Sequence, residues 1–360
     1  MAKTKKRIRH KHYRISADDL VLFCRQLATL LGAGVTILKS LDIIKQQVSS
    51  TRLSDVIADL QRNMEGGLSF HEAMRKHGKV FSELWINLVE SGEASGNLAL
   101  VLNRLASYLE KQAAFKQKVV SALVYPIILM VASVGALLFL TIKIIPTFVE
   151  LFKGFNVKLP LLTQVLVVVS TALRQYFIWI VVAIAVAVFV FRKITSTKEG
   201  RRAFEQFLFQ LPIFGEFFRA FLVERLTSEM STLIESGVPI LYSLEIAERS
   251  VGSVVLGDII HNVKEEVREG KPLSEPLEKS GFFDPMAVQM VMIGEEIGEL
   301  SNMFKKLNSF YQDYVDTFLV RFTSMFEPIM LIFMGGVVGI MVIGMFLPIF
   351  QIANIGGAGQ

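Results

Sequence analysis

The chain has a single cysteine, Cys24, so it cannot form an internal disulfide. We expect this thiol to be buried packing rather than a reactive group. A phosphate-binding loop is also missing, because Lys79 is followed by Val80 and Lys271 by Pro272, where such a loop needs serine or threonine. No segment shows the sustained alternation that is typical of half-buried strands. These absences argue against nucleotide hydrolysis and against β-structure.

Metal-ligand patterns are equally scarce. The five histidines have no spacing that would place a group of ligands on one face, and His71-Glu72 lacks the second histidine of a zinc-protease helix. Glu90 and Glu93 could share a divalent ion, but calcium needs about six to eight oxygen ligands, and few are nearby. We therefore predict that the chain has no metal site and no cofactor, and that it is not an enzyme.

What the chain has instead is an internal repeat, whose second copy begins about two hundred residues after the first. Residues 29–43 (TLLGAGVTILKSLDI) match 232–246 (TLIESGVPILYSLEI). After a slip of one residue, 88–98 (LVESGEASGNL) lies over 290–300 (MVMIGEEIGEL). The paired glycines and glutamates are Gly34 with Gly237, Gly96 with Gly298, and Glu93 with Glu295.

These repeated residues have a structural and a functional interpretation. Glycines at such positions most simply end or join helices. Glu93 and Glu295 each lie beside the turn before a long helix, where a carboxylate favours the positive helix end. Their alternative role is polar contact with a partner protein or with a second copy of the chain.

Each copy contains a polar module, at residues 16–115 and 219–319, that has the pattern of a string of short helices. Ser16 with Asp19 fits an N-terminal capping box, and Ser69 with Glu72 is a second match. About a hundred residues of short helices are enough to form an independent core. The predicted fold class is therefore all-α, with one small helical bundle used twice.

Each copy ends in a long apolar segment. Val119–Ile142 and Pro328–Ala353 carry no charge and are long enough to cross a bilayer. If the copies are direct repeats that face the same compartment, one extra crossing is required between them, and Gln175–Phe191 supplies it. We therefore predict three transmembrane helices, at residues 116–145, 175–192 and 320–352.

The loop between the first two spans, residues 146–174, contains a further apolar run. Residues 161–173 are too few to span a bilayer, and Arg174 ends the run. We expect a helix lying on the outer membrane surface, with a re-entrant segment as the alternative.

Basic residues indicate the orientation. The chain carries 38 basic and 33 acidic residues, a net charge of +5, and the basic side chains collect beside the spans on the side of the two modules. The positive-inside rule therefore predicts cytoplasmic modules and N-terminus, a cytoplasmic linker at 193–218, and a periplasmic tail at 353–360. We expect the basic tail, residues 1–15, to be disordered and to touch anionic lipid. Binding of this tail to nucleic acid is the poorer alternative, since no recognition motif accompanies it, and no cleavable export signal is apparent.

Three residues at the spans are candidates for function. Pro126 and Pro328 each remove a backbone donor a few residues into a span, which predicts a kink or hinge. Glu327 is either an interfacial carboxylate that reaches toward water or a docking charge for the amino terminus or a basic side chain of an incoming subunit. A secondary transporter or channel is the rival function, but it would show paired charges or broken helices deep in the spans.

Several motifs together resemble the type II secretion F family. They are FCRQLATLLGAGVTILKSL, SGEASGNL, YP at the start of span one, IPTFVELFKGFNVKLPLLT, GEEIGEL, and EP at span three, which follow the family's order over about residues 16–352. The resemblance implies two cytoplasmic modules, each a bundle of six antiparallel helices, in a platform protein of the bacterial inner membrane. Many members carry an extra stretch ahead of the first module, where this chain has a short basic tail.

The resemblance also implies the partners. Family members couple a hexameric cytoplasmic ATPase to the insertion of pilin or pseudopilin subunits into a type IV pilus or a type II secretion pseudopilus. They work with other inner-membrane assembly proteins and as homo-oligomers. Glu93, Glu295 and Glu327 are then the candidate interface residues.

Overall fold

The computed structural model describes residues 13–153 and 160–357, which form helices and contain no β-strand. The all-α class is thus confirmed. Contacts along the chain divide it into two units. The first unit lies within Met1–Lys118 and Arg202–Asp316, and the second lies within Val119–Arg201 and Thr317–Gln360.

The first module contains six helices, and the sixth continues into the first apolar segment. They are α1 (Ala17–Gly32), α2 (Ile37–Gln47), α3 (Thr51–Glu65), α4 (Phe70–Arg75), α5 (Glu83–Ala94) and α6 (Leu98–Phe139). Both predicted capping boxes are present. The Ser16 hydroxyl accepts the N–H of Asp19 at 3.1 Å, and the Ser69 hydroxyl accepts that of Glu72 at 3.3 Å.

Cys24 lies in the core of this module. Its side chain is fully buried, and its thiol donates to the backbone oxygen of Leu102 at 3.7 Å. Burial raises the pKa of the Cys24 thiol well above its usual range, so the reactive thiolate is disfavoured. Phe81 beside it packs on Phe23 and Trp85 at centroid distances of 6.0 and 5.2 Å. The predicted packing role of Cys24 is confirmed.

Between the modules the chain is more helical than predicted. A π-helical turn at Leu140–Ile144 leads to α7 (Ile145–Lys153), and two further helices are α8 (Leu161–Thr195) and α9 (Lys198–Gln210). Pro146, which has no N–H to donate to the preceding turn, lies two residues after the end of the π-turn.

Two of the predicted segments have different helix boundaries in the structure. The surface helix expected at 161–173 and the second span expected at 175–192 are one continuous helix, because arginine is a good helix former and Arg174 does not interrupt α8. The segment 193–218, predicted as a linker, is mostly helical, because α9 occupies its middle and the next helix begins at Phe214.

The second module repeats the six helices of the first. They are α10 (Phe214–Glu235), α11 (Ile240–Ser250), α12 (Val254–Arg268), α13 (Ser274–Lys279), α14 (Pro285–Glu296) and α15 (Leu300–Gly357). Helix α11 corresponds to α2, and α14 corresponds to α5. The prediction of two repeated six-helix modules is confirmed.

The paired glycines have the same backbone conformation in both modules. Gly34 and Gly237 follow α1 and α10 with φ of 82° and 83°. Gly96 and Gly298 join α5 to α6 and α14 to α15 with φ of 70° and 72°. This left-handed region is readily accessible only to glycine, so each module turns on glycine at the same two places.

Among residues 13–153 and 160–357, three helices are long and apolar enough to cross a membrane, which confirms the predicted number of spans. They correspond to Leu98–Leu151, Leu161–Thr195 and Leu300–Phe350. Both Pro126 and Pro328 lie inside continuous helices, α6 and α15. Whether they act as hinges stays a prediction.

Small and hydroxylated residues bring the helices of the second unit together. The buried Thr163 hydroxyl of α8 donates to the backbone oxygen of Gly344 in α15 at 2.5 Å, and Gly344 leaves no room for a side chain beside Leu166. The buried Ser170 hydroxyl donates to the backbone oxygen of Thr141, inside the π-turn. The first half of α8 therefore packs on other helices of this unit and does not form a separate surface helix.

Candidate functional site

Glu93, near the end of α5, stabilises the start of α4. Its carboxylate accepts the backbone N–H groups of Phe70 and His71 at 2.8 and 3.0 Å. The same carboxylate lies 2.6 Å from Nδ1 of His71. A carboxylate on the first N–H groups of a helix satisfies donors that have no intrahelical partner and favours the positive helix end.

Glu295 does the same in the second module, at the start of α13. Its carboxylate accepts the N–H of Leu273 at 2.7 Å and that of Ser274 at 3.4 Å. The repeated glutamate is therefore a repeated intramodular contact, made to a helix that lies earlier in the chain. The carboxylates of the pair are occupied within their own modules, so a partner would have to meet the turns that follow them.

The suggested ion site between Glu90 and Glu93 is not assembled. Glu90 pairs with Arg75 at 2.9 Å, while Glu93 faces α4. Within residues 13–153 and 160–357, no group of three or more potential ligand side chains could hold a metal ion. The Glu90 carboxylate therefore forms an ion pair with Arg75 and not an ion site with Glu93.

A direct contact joins α5 of the first module to α11 of the second. The Tyr242 hydroxyl donates to the side-chain oxygen of Asn87 at 2.9 Å. The Ser91 hydroxyl, one turn further along α5, donates to the backbone oxygen of Ser236 at 3.4 Å. At the other end, Arg249 pairs with Glu83 at 3.4 Å.

Apolar side chains also pack at the contact between the two modules. Leu233, Val238 and Ile246 of the second module belong to the buried cluster that forms the core of the first. Their exposed fractions are 0%, 4% and 1%. Burial of three aliphatic side chains stabilises the contact by more than the polar pairs at its rim. The two modules are consequently packed as parts of one unit.

Two buried carboxylates on α10 were not predicted. Glu224 accepts from the side-chain amide of Asn308 at 3.1 Å, and Glu229 accepts from the Ser250 hydroxyl. The second carboxylate oxygen of each has no hydrogen-bond partner within the described part of the chain. Burial raises the pKa of Glu224 and of Glu229 to about 7, although Arg225 between them acts in the opposite direction.

The repeat contained a signal for these carboxylates. In the register that pairs Gly34 with Gly237, Glu224 replaces Val21 and Glu229 replaces Gln26. A charged residue at a position that is uncharged in the other copy marks a place where the two modules differ. By contrast, the contact of α5 with α11 depends on which faces meet, and no local pattern encodes it.

The membrane candidate Glu327 lies within α15 and is exposed. It directly precedes Pro328, at the start of the uncharged segment. Its side chain is thus on the outside of the second unit, where another protein or water could meet it.

Comparison with known proteins identifies related chains. The family model for type II secretion system protein F matches residues 23–146 and 226–348, one match in each repeat. The type IV pilus assembly protein PilC of Thermus thermophilus is 40% identical over 93% of this chain and 82% of its own length.

Relatives from both kinds of machine are similar to the chain. PilC of Myxococcus xanthus is 36% identical over 94% of this chain and 82% of its own length. The type II secretion system protein F of Pseudomonas aeruginosa is 34% identical over 95% of this chain and 85% of its own length. Proteins of this family are structural components of pilus and secretion machinery and not enzymes. With both repeats matched by the family model, the chain belongs to the type II secretion system F family.

Proposed function

We propose that the chain is an inner-membrane platform that couples a hexameric cytoplasmic ATPase to the insertion of pilin or pseudopilin subunits into a filament. One observation carries the proposal. Helices α6 and α15 each run without interruption from the last helix of a module into a membrane-crossing segment. A displacement of either module would therefore be transmitted along a continuous helix. This arrangement favours a mechanical adaptor over the transporter or channel alternative.

The modules face the cytoplasm in this proposal, and the C-terminus faces the periplasm, as the basic flanks indicate. Single cysteines at Glu278 and Leu161, two exposed residues, test the orientation in a chain whose Cys24 is replaced by alanine. In intact cells an impermeant thiol reagent should label Leu161→Cys and leave Glu278→Cys unlabelled until the membrane is opened. The reverse pattern would contradict the proposed orientation.

The ATPase is proposed to contact the turns after α5 and α14. These turns, residues 95–97 and 297–299, are exposed in both modules and lead directly into α6 and α15. Because the Glu93 and Glu295 carboxylates bind α4 and α13, we assign the contact to their exposed neighbours, with Glu299 as the charged one.

Purified chain and cognate ATPase test this coupling. The chain alone should hydrolyse no ATP, and its addition in nanodiscs should change the turnover of the ATPase. Glu299→Lys should remove this change and abolish filament assembly, whereas Glu269→Lys, another exposed glutamate of the second module, should do neither. Normal coupling and assembly in Glu299→Lys would exclude this turn as the contact.

Glu327 is proposed to receive a positive charge of the incoming subunit, either its amino terminus or a basic side chain. The exposed position of Glu327 at the start of the apolar segment supports this role. Glu327→Gln keeps the size of the side chain and removes its charge, so filament assembly should fall while the amount of inserted protein stays constant. Glu327→Asp should restore assembly in part. Normal assembly in Glu327→Gln would leave this residue as an interfacial carboxylate.

A further inference from the structure

Helix α9 packs on the second module with one of its sides. Its Arg202 forms an ion pair with α12. Its Glu205 accepts the Ser253 hydroxyl at 2.7 Å, and its Phe209 packs edge-on against Phe282 at a centroid distance of 5.5 Å. Successive residues of an α-helix are about 100° apart around its axis, so positions 202, 205 and 209 fall on the same side. This side attaches α9 to the module.

The opposite side of α9 is apolar and exposed. Phe207 lies about 160° around the helix from Phe209, and its side chain is 58% exposed. Ala203, one turn earlier on the same side, is also exposed, and Phe204 and Leu208 beside them are only half-buried. None of the thirteen residues of α9 is buried. The packing of the module therefore leaves this aromatic face open.

The corner between α9 and α10 exposes a further apolar side chain. The chain bends by 117° between the two helices, and Ile213 in the corner is 70% exposed. Its φ of 69° lies in the left-handed region, which a β-branched residue rarely adopts. Ile213 therefore has an unfavourable backbone conformation, and its side chain is not buried in return. Such a combination indicates a residue that makes a contact outside the module.

The position of α9 in the chain indicates what covers this side. Helix α8 is long and apolar enough to cross the membrane and ends at Thr195, and α9 begins at Lys198. The connection is tight, because a side chain at Gly200 would collide with the backbone oxygen of Ile194. Helix α9 therefore starts beside the end of a membrane span. Five of its thirteen residues are charged, so α9 cannot itself cross the bilayer.

Basic residues surround the start of α9. Residues 192–205 contain five basic side chains against two acidic ones, Glu199 and Glu205. The basic ones are Arg192, Lys193, Lys198, Arg201 and Arg202. A helix with an aromatic face, basic flanks and an origin at the membrane surface has the features of one that lies in the lipid interface. There its apolar side chains reach the acyl boundary, and the basic ones meet anionic headgroups.

We infer that α9 and the corner after it form a lipid-binding surface, which lies in the interface of the bilayer that α8 crosses. The surface is defined here by Ala203, Phe207 and Ile213. The basic residues beside it bind the headgroups of anionic lipids. The second module thus carries a membrane contact of its own, in addition to the spans. This inference does not depend on the proposed coupling to an ATPase.

A spin label at Ala203 tests the contact, because cysteine is close to alanine in size and leaves Phe207 and Ile213 in place. The full chain carries Cys24→Ala with Ala203→Cys or, as an exposed control, Glu278→Cys, in nanodiscs of phosphatidylcholine and phosphatidylglycerol. The label at 203 should collide more often with oxygen, which partitions into lipid, than with a water-soluble nickel complex, and the label at 278 should do the reverse. A preference for nickel at 203, or poor access of both reagents as beneath another protein, would overturn the inference.

A second measurement removes the apolar side chains. In the chain labelled at 203, Phe207→Gln together with Ile213→Asn should shift the preference of the label from oxygen to nickel. Asparagine tolerates the left-handed backbone, so the corner is kept. Met292→Gln, which changes an exposed apolar residue of α14, should cause no shift, and thermal melts check that both variants are folded. Unchanged collision rates in the double variant would show that these side chains do not hold α9 in lipid.

The lipid composition tests the charge. In nanodiscs of phosphatidylcholine alone, the preference of the label at 203 for oxygen should weaken. Addition of salt to nanodiscs that contain phosphatidylglycerol should have the same effect, because salt screens the attraction between basic side chains and anionic headgroups. Equal preferences in the two lipid compositions would overturn the assignment of the basic residues to anionic headgroups.

Discussion

The carboxylate of Glu93 accepts a hydrogen bond from the backbone N–H of Phe70 at 2.8 Å, although the two residues are 23 positions apart. The corresponding carboxylate in the second module, Glu295, accepts a hydrogen bond from the backbone N–H of Leu273. Helices α4 and α13 have only six residues each, and so short a helix gains little from its own hydrogen bonds. The repeated glutamate therefore stabilises an element that could not form alone.

Reversing the charge of Glu93 should destabilise the fold. Lysine there would leave two partly buried backbone donors without an acceptor and would repel the positive start of α4, at a cost of roughly 1–3 kcal/mol. Thermal melting of the full chain in detergent should show a lower midpoint for Glu93→Lys. Glu90→Lys, which breaks an exposed ion pair with Arg75, should have a smaller effect. Equal midpoints for the two variants would contradict the role assigned to Glu93.

Gly34 should resist substitution for a backbone reason. Its φ of 82° is unfavourable for any residue with a side chain, while a Cβ at this position would meet no atom within 4 Å. Gly34→Ala should therefore lose about 1 kcal/mol of stability through conformation alone. Gly32→Ala is the matched control, since a Cβ there also meets nothing and Gly32 lies in α1. That variant should be neutral or slightly stabilising; destabilisation of both variants alike would show that φ is not the cause.

Stability should depend on pH through the buried carboxyls. The pKa of Glu229 is raised to about 7 in the folded chain, against about 4.3 in an unfolded one. The contribution of the protonated group is fully present below the unfolded pKa and is lost as pH rises through 7. Melting midpoints measured from pH 5 to about 8 should therefore fall less in Glu229→Gln than in the wild type. Glu278→Gln, an exposed control, should follow the wild type. Parallel curves for Glu229→Gln and wild type would mean that the carboxyl does not titrate in this range.

Gly344 should be required for packing of the membrane helices. A side chain at this position of α15 would collide with Leu166 and approach Leu162 on α8. Gly344→Val should lower the melting midpoint in detergent, because close contact between membrane helices depends on small residues. Gly335→Val provides the control in the same helix, since a Cβ there meets nothing within 4 Å. If the two variants melt together, α8 and α15 do not depend on this close approach.

The features that sequence reasoning found are local or repetitive. Helix starts at Ser16 and Ser69, the turns at Gly34 and Gly237 and the three spans depend on neighbouring residues or on composition, and the structure contains all of them. The duplication of the pattern made each of these inferences stronger, because the same residue type stood at the same place twice.

The features that it missed depend on tertiary contacts. The backbone N–H that Glu93 binds lies more than twenty residues upstream, at the start of α4. Because Glu93 is next to the turn before α6, the sequence pointed to α6 instead. The charge of Arg174 suggested a boundary between lipid and water, but backbone hydrogen bonding continues through it in α8. Asn87 and Tyr242 meet only because two modules pack together, 155 residues apart.

The π-turn at Leu140–Ile144 fixes the rotational phase of the helix that follows it. One additional residue in a helical turn rotates everything beyond it by about 100° relative to an uninterrupted α-helix. Which side of Ile145–Lys153 faces its neighbours is thus determined by residue count as well as by residue type. This part of the chain should accept conservative substitutions more readily than the deletion of one residue, which would turn α7 away from its present contacts.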